Sequence, residues 1–208
     1  MTIYVGDAKN EFHIHQNLLC GASTFFDAAF TSKFKEGSEK KMTLPEDDPE
    51  VFEAFVQWLY HQHYEILASD LSHEPGRYLT QTMQLFILAD KYGVTHLKNA
   101  IIDALVRNAQ SKGKPPSRSA IHQIYEFTPP SSGIRVLLAD WYAWQAGRSW
   151  LQAPTLHTWL REHPDFAADM VAAMAKFESN SQRNDYFKSL SSGLKYHKDR
   201  EGFGTNSS

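Results

Sequence analysis

Between Glu11 and Leu59 the polarity pattern changes period in a fixed order, and few folds accept that order. Phe12 and Ile14 alternate with Glu11, His13 and His15, the period-two pattern of a half-buried strand. Thr2 to Val5 and Glu11 to His15 are expected to pair as a hairpin across the Gly6-Asp7 turn. A helical run through Leu18-Leu19-Cys20 follows, and after the break at Gly21 and Ser23 a second short helix from Phe25 to Phe30. A charged loop then leads to a short strand, Met42-Thr43-Leu44. Asp48 is a natural helix N-cap, with Pro49 at the first helical position and Glu50 in the first turn. The helix it opens carries Phe52, Phe55, Val56 and Leu59 on one face.

Strand, two short helices, strand and amphipathic helix, in that order, resemble the BTB/POZ domain, in the form abundant in filamentous fungi. The resemblance is carried by Val5-Gly6, Phe12-x-Ile14-His15, Leu18-Leu19, Ser23-x-Phe25-Phe26, Phe30, Phe34-x-Glu36, Leu44-Pro45, Asp47-Asp48-Pro49, Val51-Phe52 and Trp58-Leu59-Tyr60. It continues through Leu88-Ala89-Asp90-Lys91-Tyr92 and Leu97-Lys98, and no single piece is specific by itself. The implied fold is α+β: a small β-sheet packed against a cluster of helices, followed by an all-helical C-terminal extension. Expected to be buried are Phe12, Ile14, Leu18, Phe26, Phe30, Leu44, Phe52, Phe55, Leu59, Phe86, Leu88 and Leu97.

Residues 67–77, with Pro75-Gly76, read as a loop. A helix is expected from Leu79 to Tyr92 with Gly93 as its stop, and another after Thr95 that buries Leu97, Ile101 and Leu105. Residues 1–110 are therefore assigned to the BTB/POZ domain and 111–119 to a polar, proline-containing linker. Residues 120–177 form the helical extension, with helices at 120–127, 134–145, 150–161 (interrupted near Pro154) and 165–177. The second of these is apolar nearly all round, so protein should cover it. Tyr125-x-x-Thr128-Pro129 followed by Arg135-x-Leu137 also resembles sequence downstream of the fungal BTB core. Residues 178–208, rich in Ser, Asn, Gly and Lys, are expected to form a mobile tail.

A net charge of −3 argues against nucleic acid as the main partner. No apolar run reaches the length of a membrane helix, and the first ten residues lack the pattern of a signal peptide. The single cysteine, Cys20, excludes an intrachain disulfide and reads as a core side chain. The expected location is the cytoplasm, the nucleus or both.

Catalytic signatures are missing: no Gly-x-Ser-x-Gly elbow and no phosphate-cradling glycine loop. No catalytic residue, cofactor, metal or small-molecule substrate is assigned. His13-x-His15 and His61-x-His63 lack the Cys or carboxylate partners that would complete a zinc site, and in the resemblance His15 belongs to the strand-to-helix junction. Glu46-Asp47-Asp48 lies where a helix dipole already favours carboxylates. Lys33, Lys35, Lys40 and Lys41 are interleaved with Glu36 and Glu39 and read as a solvated loop.

The resemblance implies a protein–protein interaction module, an adaptor or scaffold. In members that recruit a cullin-type ubiquitin-ligase scaffold, a hydrophobic-x-Glu motif follows the second short helix, and Phe34 and Glu36 match it. The alternative at those two residues is that Phe34 folds back on its own domain and Glu36 is merely solvated. At the level of function the alternatives are a self-associating scaffold without a ligase role and, from another class, a small histidine-dependent metalloenzyme. Strand-swapped family dimers use an extra N-terminal strand and an acidic residue ahead of Thr2–Val5, which this sequence does not supply. A monomer or weak homodimer is therefore expected.

Overall fold

The computed structural model describes residues 1–31, 35–65, 75–111, 114–145, 151–175, 186–187, 190 and 193–197. The chain divides into two compact units, one of residues 1–65 and 81–101, the other of residues 66–80 and 102–208.

The first unit is built on strands β1 (Thr2–Val5), β2 (Asn10–His13) and β3 (Lys41–Leu44), in spatial order β2-β1-β3. β1 and β2 pair antiparallel with Ile3 opposite Phe12, as the hairpin reading expects. β1 and β3 pair parallel with Val5 opposite Leu44, a non-local pairing that the sequence pattern does not announce. Alternation along β1 buries Ile3 and Val5 and leaves Thr2 and Tyr4 half-buried. β2 ends at His13, two residues short of the expected strand, because His15 already takes the extended N-cap position of the next helix. Ile14 is still buried there, its N–H donating to the Met1 carbonyl at 3.0 Å.

Helices α1 (Gln16–Ala22), α2 (Thr24–Thr31), α3 (Lys35–Glu39) and α4 (Pro49–His61) complete the N-terminal part of this unit. Asp48 caps α4 as expected, accepting from the N–H groups of Glu50 at 2.7 Å and Val51 at 3.4 Å. Phe52, Phe55, Trp58 and Leu59 form its buried face. Phe26 of α2 stacks on Tyr92 at 4.9 Å and lies 6.4 Å from Phe55, so aromatic rings fill the centre of the core. Two expected core residues differ. Phe12 is half-buried, edge-on to Phe52 at 5.1 Å. Leu18 is exposed, because adjacent helical residues point about 100° apart and Leu19 takes the inward direction. α3 occupies part of the expected charged loop.

Helices α5 (Pro75–Lys91) and α6 (Thr95–Gln110) follow. α5 begins four residues before the expected Leu79, inside the stretch read as a loop; residues 66–74 lie outside the described residues. Gly93 sits at φ 63 and a Cβ there would come 2.3 Å from Thr24 Oγ1, so backbone and space both require glycine.

The second unit contains α7 (Arg118–Phe127), α8 (Gly133–Gln145), α9 (Pro154–Glu162) and α10 (Pro164–Met174). α7 starts within the expected linker, where the Ser117 hydroxyl accepts from the Ala120 N–H at 3.3 Å. α8 is covered on nearly every side, as its all-round apolar pattern requires. The interrupted segment begins helically at Pro154, and Trp150 lies outside the described residues. The stretch expected to be a mobile tail contributes packed structure where it is described. Phe187 and Tyr196 are 0% and 1% exposed, and Leu194–Tyr196 form a 3-10 turn. Phe187 packs against Trp141 and Trp144, and the Gly193 N–H donates to Asp103 Oδ1 at 2.8 Å.

Candidate protein-interaction surface

The structure places one of the two motif residues, Glu36. Phe34 lies outside the described residues; Glu36 is in the first turn of α3, half-exposed. Behind it, Lys40 adopts a left-handed conformation at φ 54 and its N–H donates to the Glu36 carbonyl at 2.9 Å, which ends the helix. Lys40 Nζ also donates to the Phe30 carbonyl near the C-terminal end of α2 at 3.3 Å, where a cation complements the helix dipole. One lysine of the charged loop thus ties α2 and α3 together.

Among the described residues of the first unit, three large apolar side chains stay exposed: Leu18 on α1 at 39%, Phe25 on α2 at 42% and Tyr60 on α4 at 44%. Tyr60 has a fixed position. Its hydroxyl lies 2.8 Å from His15 Nδ1 and accepts from the His15 N–H at 3.3 Å, binding α4 to the start of α1. This is the junction role that the resemblance implies for His15.

The other histidines singled out by the sequence disperse. His13 Nε2 lies 3.5 Å from Glu11, His61 Nδ1 lies 2.7 Å from the Gln57 carbonyl, and His63 Nε2 lies 3.2 Å from Glu65. Among the described residues no group of three or more His, Cys, Asp or Glu side chains is placed to hold a metal ion. The acidic run is also used internally. Asp47 accepts from Lys91 Nζ at 3.0 Å and from the Tyr92 hydroxyl. Burial first, and then that hydrogen bond to Asp47, push the Tyr92 phenol well above its usual range. Cys20 is half-buried; burial, with Asp27 adding to it, raises its thiol, while Lys40 opposes. A raised thiol carries little nucleophilic thiolate.

In the second unit the Tyr125, Thr128 and Arg135 pattern has a structural explanation. Arg135, buried on α8, donates to the Tyr125 carbonyl at 2.5 Å, to Thr128 Oγ1 at 3.2 Å and to the Thr128 carbonyl. Its guanidinium lies 4.6 Å from the Tyr125 ring centroid, and the Tyr125 hydroxyl donates to Asp169 at 2.8 Å. One arginine therefore satisfies the last carbonyls of α7.

The geometry is that of a small mixed sheet with helices, with Leu18, Phe25 and Tyr60 exposed on three of them. The family model of the BTB/POZ domain matches residues 1–109, and the chain belongs to that family. It is thus a protein–protein interaction module. The kelch repeat and BTB domain-containing protein 4 of Homo sapiens is 27% identical over 100 residues, 48% of this chain and 17% of that protein. The same protein of Mus musculus matches equally, and TD and POZ domain-containing protein 1 of Mus musculus is 29% identical over 110 residues, 50% of this chain and 26% of that protein. The chain therefore matches about a quarter or less of the length of these relatives.

Proposed function

We propose that this chain is an adaptor that docks a cullin-type ubiquitin-ligase scaffold through Phe34 and Glu36, with its helical second unit recognising the target. It would act in the cytoplasm or nucleus. The observation that supports this most is Glu36: a half-exposed carboxylate in the first turn of a short helix directly after α2, two residues beyond an aromatic, in a BTB/POZ chain. Truncating an aromatic anchor commonly costs about 2 kcal/mol of binding, on the order of a thirtyfold loss of affinity. Phe34→Ala should weaken scaffold binding by that much at unchanged melting temperature, and Glu36→Ala should weaken it less. If Phe34 instead belongs to the core, Phe34→Ala lowers the melting temperature. Absence of binding by the wild-type chain would end the adaptor reading.

A second reading, a self-associating scaffold without a ligase role, is favoured by the exposure of Leu18 and Phe25 on α1 and α2. Light scattering at micromolar concentration separates the two: self-association that Phe25→Asp abolishes supports the scaffold.

A further inference from the structure

We propose that α6 and α8 form a peptide-binding groove that recognises residues 186–197, seated in it here from the same chain and accepted equally from a second copy. Two helix faces build the seat. Asp103 and Gln110 stand seven positions apart on α6, and Gly133, Asp140 and Trp144 follow one another at seven and four positions on α8, so each set shares one side of its helix.

The segment makes little structure of its own. Among its described residues, the backbone bonds within it are Leu190 N–H to the Phe187 carbonyl and those of the 3-10 turn at Leu194–Tyr196. Its other backbone contacts go to the two helices. Gln110 Nε2 donates to the Phe187 and Leu190 carbonyls at 3.0 and 2.6 Å, and Asp103 Oδ1 accepts from the Gly193 N–H at 2.8 Å. The Tyr196 carbonyl lies where Gly133 leaves room, since a Cβ there would come within 1.7 Å of it. Side chains add the anchors. The fully buried Phe187 ring packs on Trp141 and Trp144 at 6.2 and 5.1 Å. Tyr186, Tyr196 and Lys195 donate to buried Asp140 at 2.5, 3.0 and 3.5 Å. Aromatic anchors in a fixed seat, with the intervening backbone held by side chains, are the means by which proteins recognise peptides.

Charge is complementary as well. The groove offers the carboxylates of Asp103 and Asp140, and residues 186–197 carry Lys188, Lys195 and His197 with no Asp or Glu. His197 Nε2 lies 3.2 Å from Asp103 Oδ1. These contacts join residues more than forty positions apart, so none of them needs the segment and the groove to be on one chain. A second copy's segment repeats them all, which is the condition for exchange of an identical element between copies. The resident segment holds its own groove at high effective concentration, so exchange follows its release.

The test uses two full-length variants. Gly133→Ala blocks its own groove where the Tyr196 carbonyl must sit and keeps an intact segment. Phe187→Ala/Tyr196→Ala keeps an intact groove and a segment stripped of its anchors. Energy transfer between differently labelled chains should show a 1:1 complex when the two variants are mixed, and nothing above the wild-type pair when either is paired with itself. A synthetic peptide of residues 186–197 should compete the complex away, and Asp140→Asn added to the groove-bearing chain should weaken it at least tenfold. Circular dichroism checks that each variant is folded. If the double variant unfolds, Lys195→Ala/Tyr196→Phe replaces it, removing two donors to Asp140 and keeping both buried rings. No complex between folded variants overturns the proposal. A complex that Asp140→Asn leaves at equal affinity, or that Gly133→Ala forms with itself, lies on another surface and overturns it too.

Discussion

Arg135→Ala tests whether the Tyr125-Thr128-Arg135 pattern holds the fold or serves a partner. The substitution removes every donor that reaches the Tyr125 carbonyl, the Thr128 carbonyl and Thr128 Oγ1 from α8. Thr128 is buried, so its carbonyl would lose a partner that water replaces poorly; Tyr125 is half-buried, so water replaces part of its loss. A stranded buried acceptor costs about 1–3 kcal/mol. The lost contact between guanidinium and ring adds on the order of 1 kcal/mol. Relief from burying a charge acts in the opposite direction, and bonds that share one group do not add. The balance is about 2–4 kcal/mol, or a fall in melting temperature of about 4–16 °C for a chain of this size. Thermal melts followed by circular dichroism measure it. Arg135→Lys should recover less than half, because one ammonium cannot span the acceptors of a planar fork. A melting temperature within about 1 °C of wild type for Arg135→Ala would refute the structural role.

Leu59→Ala should cost about 2–5 kcal/mol, since Leu59 is almost fully buried on α4, whereas exposed Leu18→Ala should cost less than about 1 kcal/mol; denaturant melts compare them. Alkaline titration should unfold the chain: burial pushes the Tyr142 phenol from 10.0 up to about 12, and Tyr92, Tyr125, Tyr186 and Tyr196 are raised as well. The folded state holds these protons more tightly than the unfolded state, so this stability is complete below about pH 10 and is lost as pH rises through the folded values. Ionisation of all these phenols near pH 10 with an unchanged dichroism spectrum would contradict it. Truncation before Tyr186 should lower the melting temperature, because it removes buried Phe187 and Tyr196 and the Tyr186 and Tyr196 hydroxyls that donate to buried Asp140 at 2.5 and 3.0 Å. Gly133→Ala should mimic it, since a Cβ there would come 1.7 Å from the Tyr196 carbonyl oxygen; limited proteolysis near residue 190 reads the release.

What the sequence revealed was set by how far apart interacting residues lie. Asp48 and its helix, Gly93 and its turn, and the face of Phe52, Phe55 and Leu59 each depend on neighbours within a few positions, and each is where the pattern expects it. α3 escaped because Lys35–Glu39 has no apolar period of its own and ends on Lys40, which also reaches back to α2. The parallel pairing of β1 with β3 escaped because register between strands some forty residues apart leaves no local trace. The C-terminal stretch read as mobile because composition averages two anchors, Phe187 and Tyr196, over many polar neighbours. Its attachment rests on the close backbone approach at Gly133 and the Gly193 bond to Asp103, features of space that a sequence does not display.

The same reasoning separates the Phe34-x-Glu36 motif from contacts that only the fold assembles. Phe34-x-Glu36 is legible as a local motif, and the use proposed for it lies with a partner outside the chain. His122 and His163 are 41 positions apart and match no motif, yet their nitrogens meet because one stands on α7 and the other ends the turn between α9 and α10. A local motif advertises a surface to another protein, which can read it only where the chain leaves it exposed. A pair assembled by the fold is visible only in three dimensions, and it persists only while the second unit is folded.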